Sequence, residues 1–91
     1  MNSEWQAELT ARMQSLALII SRMERASEKY GAIASSHESL GVITEEYHEL
    51  IEAVRSNSLP NIANEALDIA AACIRLSIAC ELGAIKNRST K

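Results

Sequence analysis

The sequence predicts an all-α protein: an antiparallel bundle of three main helices per chain, completed by oligomerisation. Its 91 residues include no Phe, three Gly and one Pro, a composition that favours helices over strands. Apolar residues recur at three- and four-residue steps along three long segments, which two short breaks separate. A chain of this length buries only a thin core by itself, so helices of a second copy are a natural complement.

The first helix is predicted from about Glu4 to Tyr30, because Gly31 is typical of the position that follows a helix. Its apolar stripe consists of Trp5, Leu9, Met13, Leu16, Ile20 and Met23. The second helix is predicted over 36–55, after a capping box in which Ser35 is the N-cap and Glu38 is the residue at N3.

The third helix is predicted to have Pro60 in its first turn and to continue to Leu82, where Gly83 stops it. Both connecting loops are short, so consecutive helices are expected to be antiparallel neighbours. Residues 1–85 are interpreted as one helical domain, and residues 86–91 as a polar, disordered tail.

Charge and composition argue against several classes of function. The net charge is −3 and no basic stripe is present, so nucleic acid is not an expected partner. No segment reaches the roughly 18 apolar residues of a membrane span, and the N-terminus lacks the features of a signal peptide. Cys73 and Cys80 lie about 10 Å apart along one predicted helix, too far for a disulfide, and are interpreted as buried thiols in a reducing compartment. The expected localisation is cytoplasmic.

Carboxylates occur three residues apart in two of the helices: Glu46 with Glu49, and Glu65 with Asp68. Projected at about 100° per residue, the second helix has Glu46 and Glu49 on the shoulder of its apolar face. That face is predicted to be the core side, and it comprises Leu40, Ile43, Tyr47, Leu50, Ile51 and Val54. The carboxylates are either part of ordinary solvated faces or the ligands of a metal ion.

On the third helix the polar residues occupy one narrow stripe, and the remaining arc of roughly 260° is apolar. Three helices of one chain cannot cover that much apolar surface, which predicts association into a dimer or a larger bundle. If the two helices face each other, four carboxylates converge and require a cation. Hard oxygen ligands select Mg²⁺, or alternatively Mn²⁺.

The motif Glu45-Glu46-x-x-Glu49, followed on the next helix by Glu65-x-x-Asp68, resembles the EExxE…ExxD signature of the all-α nucleoside triphosphate pyrophosphatases, the MazG-like superfamily. Asp68 is the only Asp in the chain and stands where the signature has Asp. The resemblance covers roughly residues 29–82.

The resemblance implies a Mg²⁺-dependent enzyme that cleaves a (d)NTP to the (d)NMP and pyrophosphate, with a house-cleaning role toward noncanonical or excess nucleotides. It makes Glu46, Glu49, Glu65 and Asp68 the metal ligands and assigns Glu45 an assisting role, as the base for a water or beside the ligands. The catalytic residues are then Glu45, Glu46 and Glu49. It also implies a homodimer or homotetramer that binds the nucleotide between subunits.

One departure from the family pattern is Arg75, which stands where many relatives have Asn. Its guanidinium is interpreted either as a ligand for substrate phosphate or as the partner of a carboxylate. Two alternatives to the pyrophosphohydrolase remain. One is an enzyme similar to phosphoribosyl-ATP pyrophosphohydrolase, although Thr44 replaces the Lys typical of that branch. The other is a non-catalytic, oligomeric helical binding protein on the same fold.

Overall fold

A computed structural model describes residues 3–83 and 85 of the chain. These residues form three α-helices: α1 (Ser3–Tyr30), α2 (Ser36–Arg55) and α3 (Leu59–Glu81), with no strand among them. The predicted all-α class is confirmed, whereas the predicted tail, 86–91, lies outside the described residues. None of the helices in the described part of the chain combines the length and apolarity that crossing a lipid bilayer requires.

The helix ends follow local chemistry. Gly31, at φ 78°, adopts the left-handed conformation after α1 and donates its N–H to the Ser27 carbonyl at 2.9 Å. At the start of α2, the Ser35 hydroxyl accepts the Glu38 N–H at 3.1 Å. The Glu38 carboxylate in turn accepts the Ala34 N–H at 3.3 Å, one residue before the N–H that a capping box normally uses.

The loop between α2 and α3 has only three residues, 56–58, and its last residue caps α3. The Ser58 hydroxyl accepts the Asn61 N–H at 3.4 Å, and Pro60 lies in the first turn, where its missing N–H leaves no bond unmade. Such a short connection between two packed helices makes α2 and α3 an antiparallel pair.

The helix α3 is the centre of the fold, because it packs against both α2 and α1. In the described part of the chain α1 does not pack on α2. The expectation that both short loops join neighbouring helices is therefore correct for α2 and α3 and wrong for α1 and α2. The five-residue segment 31–35 instead carries the chain from one side of α3 to the other.

Only small residues are buried among those described: Ala53, Ala71 and Ala79, together with Ser39. On α2, Ser39, Glu46 and Ala53 recur at seven-residue steps and turn toward α3. Of the predicted core stripe, Ile43, Leu50 and Ile51 are half-buried, whereas Leu40, Tyr47 and Val54 are 58%, 56% and 51% exposed. This part of the core prediction is wrong for the single chain, because small residues form the closest contact between the helices.

The outward side of α3 is similarly apolar. Ile74 and Ile78 are exposed there, and so are Cys73 and Cys80. The interpretation of both cysteines as buried thiols is therefore wrong in the single chain. The polar residues Glu65, Asp68 and Arg75 are half-buried instead, because their stripe faces the neighbouring helices rather than the solvent.

Candidate functional site

Three glutamates from two helices meet where α2 packs on α3. Glu46 and Glu49 lie one turn apart on α2, and Glu65 approaches them from α3. One carboxylate oxygen of each lies within 4.8 Å of those of the other two. Three of the four predicted metal ligands are thus brought together by the antiparallel packing of α2 on α3.

Two of these carboxylates have unpaired oxygens. Oε1 of Glu46 and Oε1 of Glu65 are enclosed, and no donor among the described residues reaches them. An enclosed carboxylate oxygen without a partner is costly, since most buried polar atoms in proteins are hydrogen-bonded. A bound cation would supply the missing partner for both, so the residues fit a divalent metal with oxygen ligands.

The electrostatics of the cluster also fit a bound cation. The pKa of Glu46 is raised to about 7, chiefly by burial and then by the charges of Glu49, Asp68 and Glu65. The pKa of Glu65 is also raised, again by burial first and then by Glu49 and Asp68. Like charges held this close favour either proton uptake or a bound cation.

Asp68, the fourth predicted ligand, is not part of this cluster. Its Oδ1 accepts a hydrogen bond from Nη1 of Arg22 in α1 at 2.8 Å. The same guanidinium donates to the carbonyl of Asn64 at 2.8 Å and to its side-chain oxygen at 3.0 Å. Arg22 therefore fixes α1 to the polar stripe of α3 and neutralises the carboxylate that the sequence assigns to the metal.

A cavity of about 520 Å³ opens beside the cluster, between α1, the start of α2 and α3. This volume lies within the usual range of small-molecule sites. Four carboxylates and four cationic groups line it: Glu38, Glu45, Glu46 and Asp68, with Arg22, Arg25, Lys29 and Arg75. Most of the cationic groups come from α1, whereas most of the carboxylates come from α2. We call the four cationic groups the basic wall of the cavity.

Two predicted site residues lie on the walls of this cavity. Glu45 is exposed there, next to Glu46. Arg75 is half-buried, and its guanidinium donates to the Gly31 carbonyl at 2.6 Å. One of the two interpretations pairs Arg75 with a carboxylate. In the described part of the chain its observed partner is a backbone carbonyl instead.

The basic wall contains residues that the prediction missed. Arg22, Arg25 and Lys29 follow one another at three- and four-residue steps and so share one face of α1. The expectation that the chain has no basic stripe is therefore wrong for α1, where the spacing of this row is visible in the sequence. Tyr30 lines the same cavity, with the Lys29 ammonium 5.1 Å from its ring centroid.

Comparisons with known protein families, with curated proteins and with solved structures find no match for this chain. The function must therefore be inferred from the residues of the site themselves.

Proposed function

We propose that this chain is a Mg²⁺-dependent nucleoside triphosphate pyrophosphohydrolase, which cleaves a (d)NTP to the (d)NMP and pyrophosphate. The observation that carries the proposal is the convergence of three glutamates, with oxygens within 4.8 Å of one another, beside a cavity that Glu46 lines together with four cationic side chains. Such a cavity suits a ligand that brings both a metal and an anionic phosphate chain. The resemblance of the EExxE…ExxD pattern to the MazG-like superfamily supports the same function.

Different residues of the chain would bind the metal and accept the proton. Glu46, Glu49 and Glu65 would hold Mg²⁺, or Mn²⁺ in its place, with Asp68 as the fourth ligand. A bound Mg²⁺ would shield the phosphate charges that repel a nucleophile. Glu45, exposed on the cavity wall, would accept the proton of the water that attacks the α-phosphorus.

The basic wall would bind the phosphates. The guanidinium groups of Arg25 and Arg75 can each donate two hydrogen bonds to phosphate oxygens, and Lys29 adds a third cationic group. Tyr30 at the edge of the cavity offers a ring face on which a base could stack. Substrate phosphate is thus the role that we assign to Arg75.

We include in the proposal that the active form is a homodimer or a homotetramer. The chain exposes 6993 Å² of surface, whereas a compact monomer of similar mass exposes roughly 5,200 Å². The difference exceeds the roughly 800 Å² that each partner buries in an interface of standard size. The radius of gyration of the chain, 15.7 Å, also exceeds the roughly 12 Å of a compact domain of this length.

The exposed surface is apolar where a second copy would cover it. Leu9, Met13, Leu16 and Ile20 form one row on α1, and each is more than a third exposed. The row of Leu40, Tyr47 and Val54 on α2 is exposed in the same way. Apolar rows of this length on two helices are unusual in monomers and typical of obligate homodimers.

One observation favours a second candidate, a non-catalytic oligomeric binding protein. Arg22 neutralises Asp68, and Arg75 donates to a backbone carbonyl, so two of the predicted site residues have partners within the chain. A protein that only binds a partner could keep these contacts permanently. The two candidates differ in whether the glutamate cluster binds a metal and supports turnover.

A pyrophosphate-release assay on the purified protein, with a panel of canonical and damaged dNTPs, separates these candidates. We expect release that requires Mg²⁺ and falls by at least about a hundredfold in Glu49→Gln and Asp68→Asn. Glu52→Gln is the matched control, because Glu52 is on the same helix but exposed and paired with Arg55 at 3.8 Å. Equal activity in all three variants would refute the site assignment.

A further inference from the structure

The Arg22 side chain joins α1 to α3. Its guanidinium makes three hydrogen bonds of 2.8 to 3.0 Å to Asn64 and Asp68 of α3. The Arg22 side chain is only 20% exposed and that of Asp68 38%, so solvent screens this pair less than the surface pairs of the chain. Arg22 is therefore the cationic partner of Asp68.

Arg22 also acts on the glutamates beyond its own partner. Its charge lowers the pKa of Glu65, against the larger effects that raise it, and the charge of Asp68 raises the pKa of both Glu46 and Glu65. Arg22 and Asp68 are therefore within electrostatic reach of the metal cluster. A divalent cation placed among these glutamates would be repelled by the guanidinium and attracted by the aspartate.

We propose that Arg22 is an internal counter-ion that competes with the divalent metal for Asp68, and that it leaves Asp68 for the substrate phosphates when the site is loaded. This inference rests on the proposed function, because it assumes that the cluster binds a metal. Arg22 is then a positioning residue. It neutralises Asp68 and makes the full four-carboxylate set available only when an anionic ligand offers the guanidinium a new partner.

The geometry supports the exchange. Arg22 lies on the wall of the same cavity as Arg25, Lys29 and Arg75, so a rotation of its side chain keeps it among the groups expected to bind phosphate. By linkage, if the phosphates draw Arg22 from Asp68 and so strengthen metal binding, the metal strengthens phosphate binding equally. The metal and the triphosphate are therefore expected to bind cooperatively.

The test measures Mn²⁺ binding to the full chain without nucleotide, by the loss of the electron paramagnetic resonance signal of free Mn²⁺. Arg22→Gln should bind Mn²⁺ about tenfold more tightly than the wild type, because a positive charge beside the site has been removed. Arg22→Lys keeps the charge and should stay within about twofold of the wild type. Arg12→Gln is the matched control, since Arg12 is an exposed arginine of α1 paired with Glu8 at 3.2 Å.

The outcomes separate this inference from the proposed function. If Arg22→Gln binds Mn²⁺ with the wild-type affinity or more weakly, the competition is refuted while the metal site stands. If neither protein binds Mn²⁺, the proposed function fails and the inference fails with it.

A second measurement keeps the test valid if Arg22→Gln does not fold. Nuclear magnetic resonance of the arginine side chains in the wild type should show the Arg22 Nε–Hε signal shifting when Mg²⁺ and pyrophosphate are added together. A signal that stays in place while the ligands bind would overturn the exchange.

Discussion

Replacing Glu46 by glutamine should stabilise the metal-free protein at neutral and alkaline pH. The folded state holds the Glu46 carboxyl in a half-buried position near three other carboxylates, which raises its pKa from 4.5 to about 7. A carboxyl whose pKa is higher in the folded state favours folding most at a pH below its unfolded pKa. This contribution to stability is lost as the pH rises through the pKa of the folded state. Glutamine has nearly the same shape but never carries the charge, so it removes this penalty.

The size of the effect follows from the pKa. The rise from 4.5 to about 7 corresponds to at most roughly 3.4 kcal/mol of penalty at about pH 8. Because Glu46 is only half-buried, solvent screening reduces this to about 1–2 kcal/mol. For a domain of this length the melting temperature should rise by about 5–10 °C. Below about pH 4 the carboxyl is protonated in both the folded and the unfolded wild type, and the difference should nearly vanish.

The assay is thermal unfolding in a metal chelator, followed by circular dichroism at one fixed protein concentration, because association shifts the transition. Adding Mg²⁺ at about pH 8 should stabilise the wild type and leave Glu46→Gln almost unchanged. Glu52→Gln serves as the control, with little change under either condition, since its carboxylate is exposed. The reasoning is refuted if the stability difference between Glu46→Gln and the wild type does not depend on pH.

Three further predictions concern the fold and its assembly. Ser35→Ala removes the acceptor of the Glu38 N–H and should cost about 1 kcal/mol in the free energy of unfolding by urea. Gly31→Ala should cost about 1–2 kcal/mol in the same assay, since the space around Gly31 is open and only its positive φ of 78° is strained. Tyr47→Lys introduces a charge into the exposed apolar row of α2 and should shift the protein toward monomers in light scattering. His48→Lys, at an exposed neighbouring position, should leave the mass unchanged, and an equal effect of both substitutions would contradict the proposed interface.

The helix boundaries were predictable because each depends on a few neighbouring residues. Ser35 and Glu38 mark the start of α2, Gly31 the end of α1, and Pro60 the start of α3, and all four lie where the sequence suggested. Local capping and turn chemistry does not depend on the rest of the fold.

The packed face of α2 was not predictable in the same way. The most apolar face, with Tyr47 and Val54, was expected to form the core, but the face with Ser39, Glu46 and Ala53 packs on α3. A helical projection shows which face is apolar, but not which partner covers it. If a second copy covers the apolar row, the exposure of that row in the single chain is explained, and so is the packing of the other face on α3.

The candidate site was predictable only for residues that belong to one motif. Glu46, Glu49 and Glu65 lie together as their spacing on two antiparallel helices suggested. The pair of Arg22 with Asp68 joins residues 46 positions apart, and it depends on α1 docking on α3 rather than on α2. Nothing in the local sequence of either helix specifies that choice, so the pairing of Asp68 with Arg22 could be found only from the structure.

The measurement that tests the central claim most directly is product analysis of a reaction of the purified protein with dNTPs, by ³¹P nuclear magnetic resonance, with and without Mg²⁺. If the glutamate cluster supports pyrophosphohydrolysis, at least one substrate will yield its monophosphate and pyrophosphate, and only when Mg²⁺ is present. A folded protein that leaves every nucleotide intact, or that forms diphosphate and inorganic phosphate instead, would contradict the account.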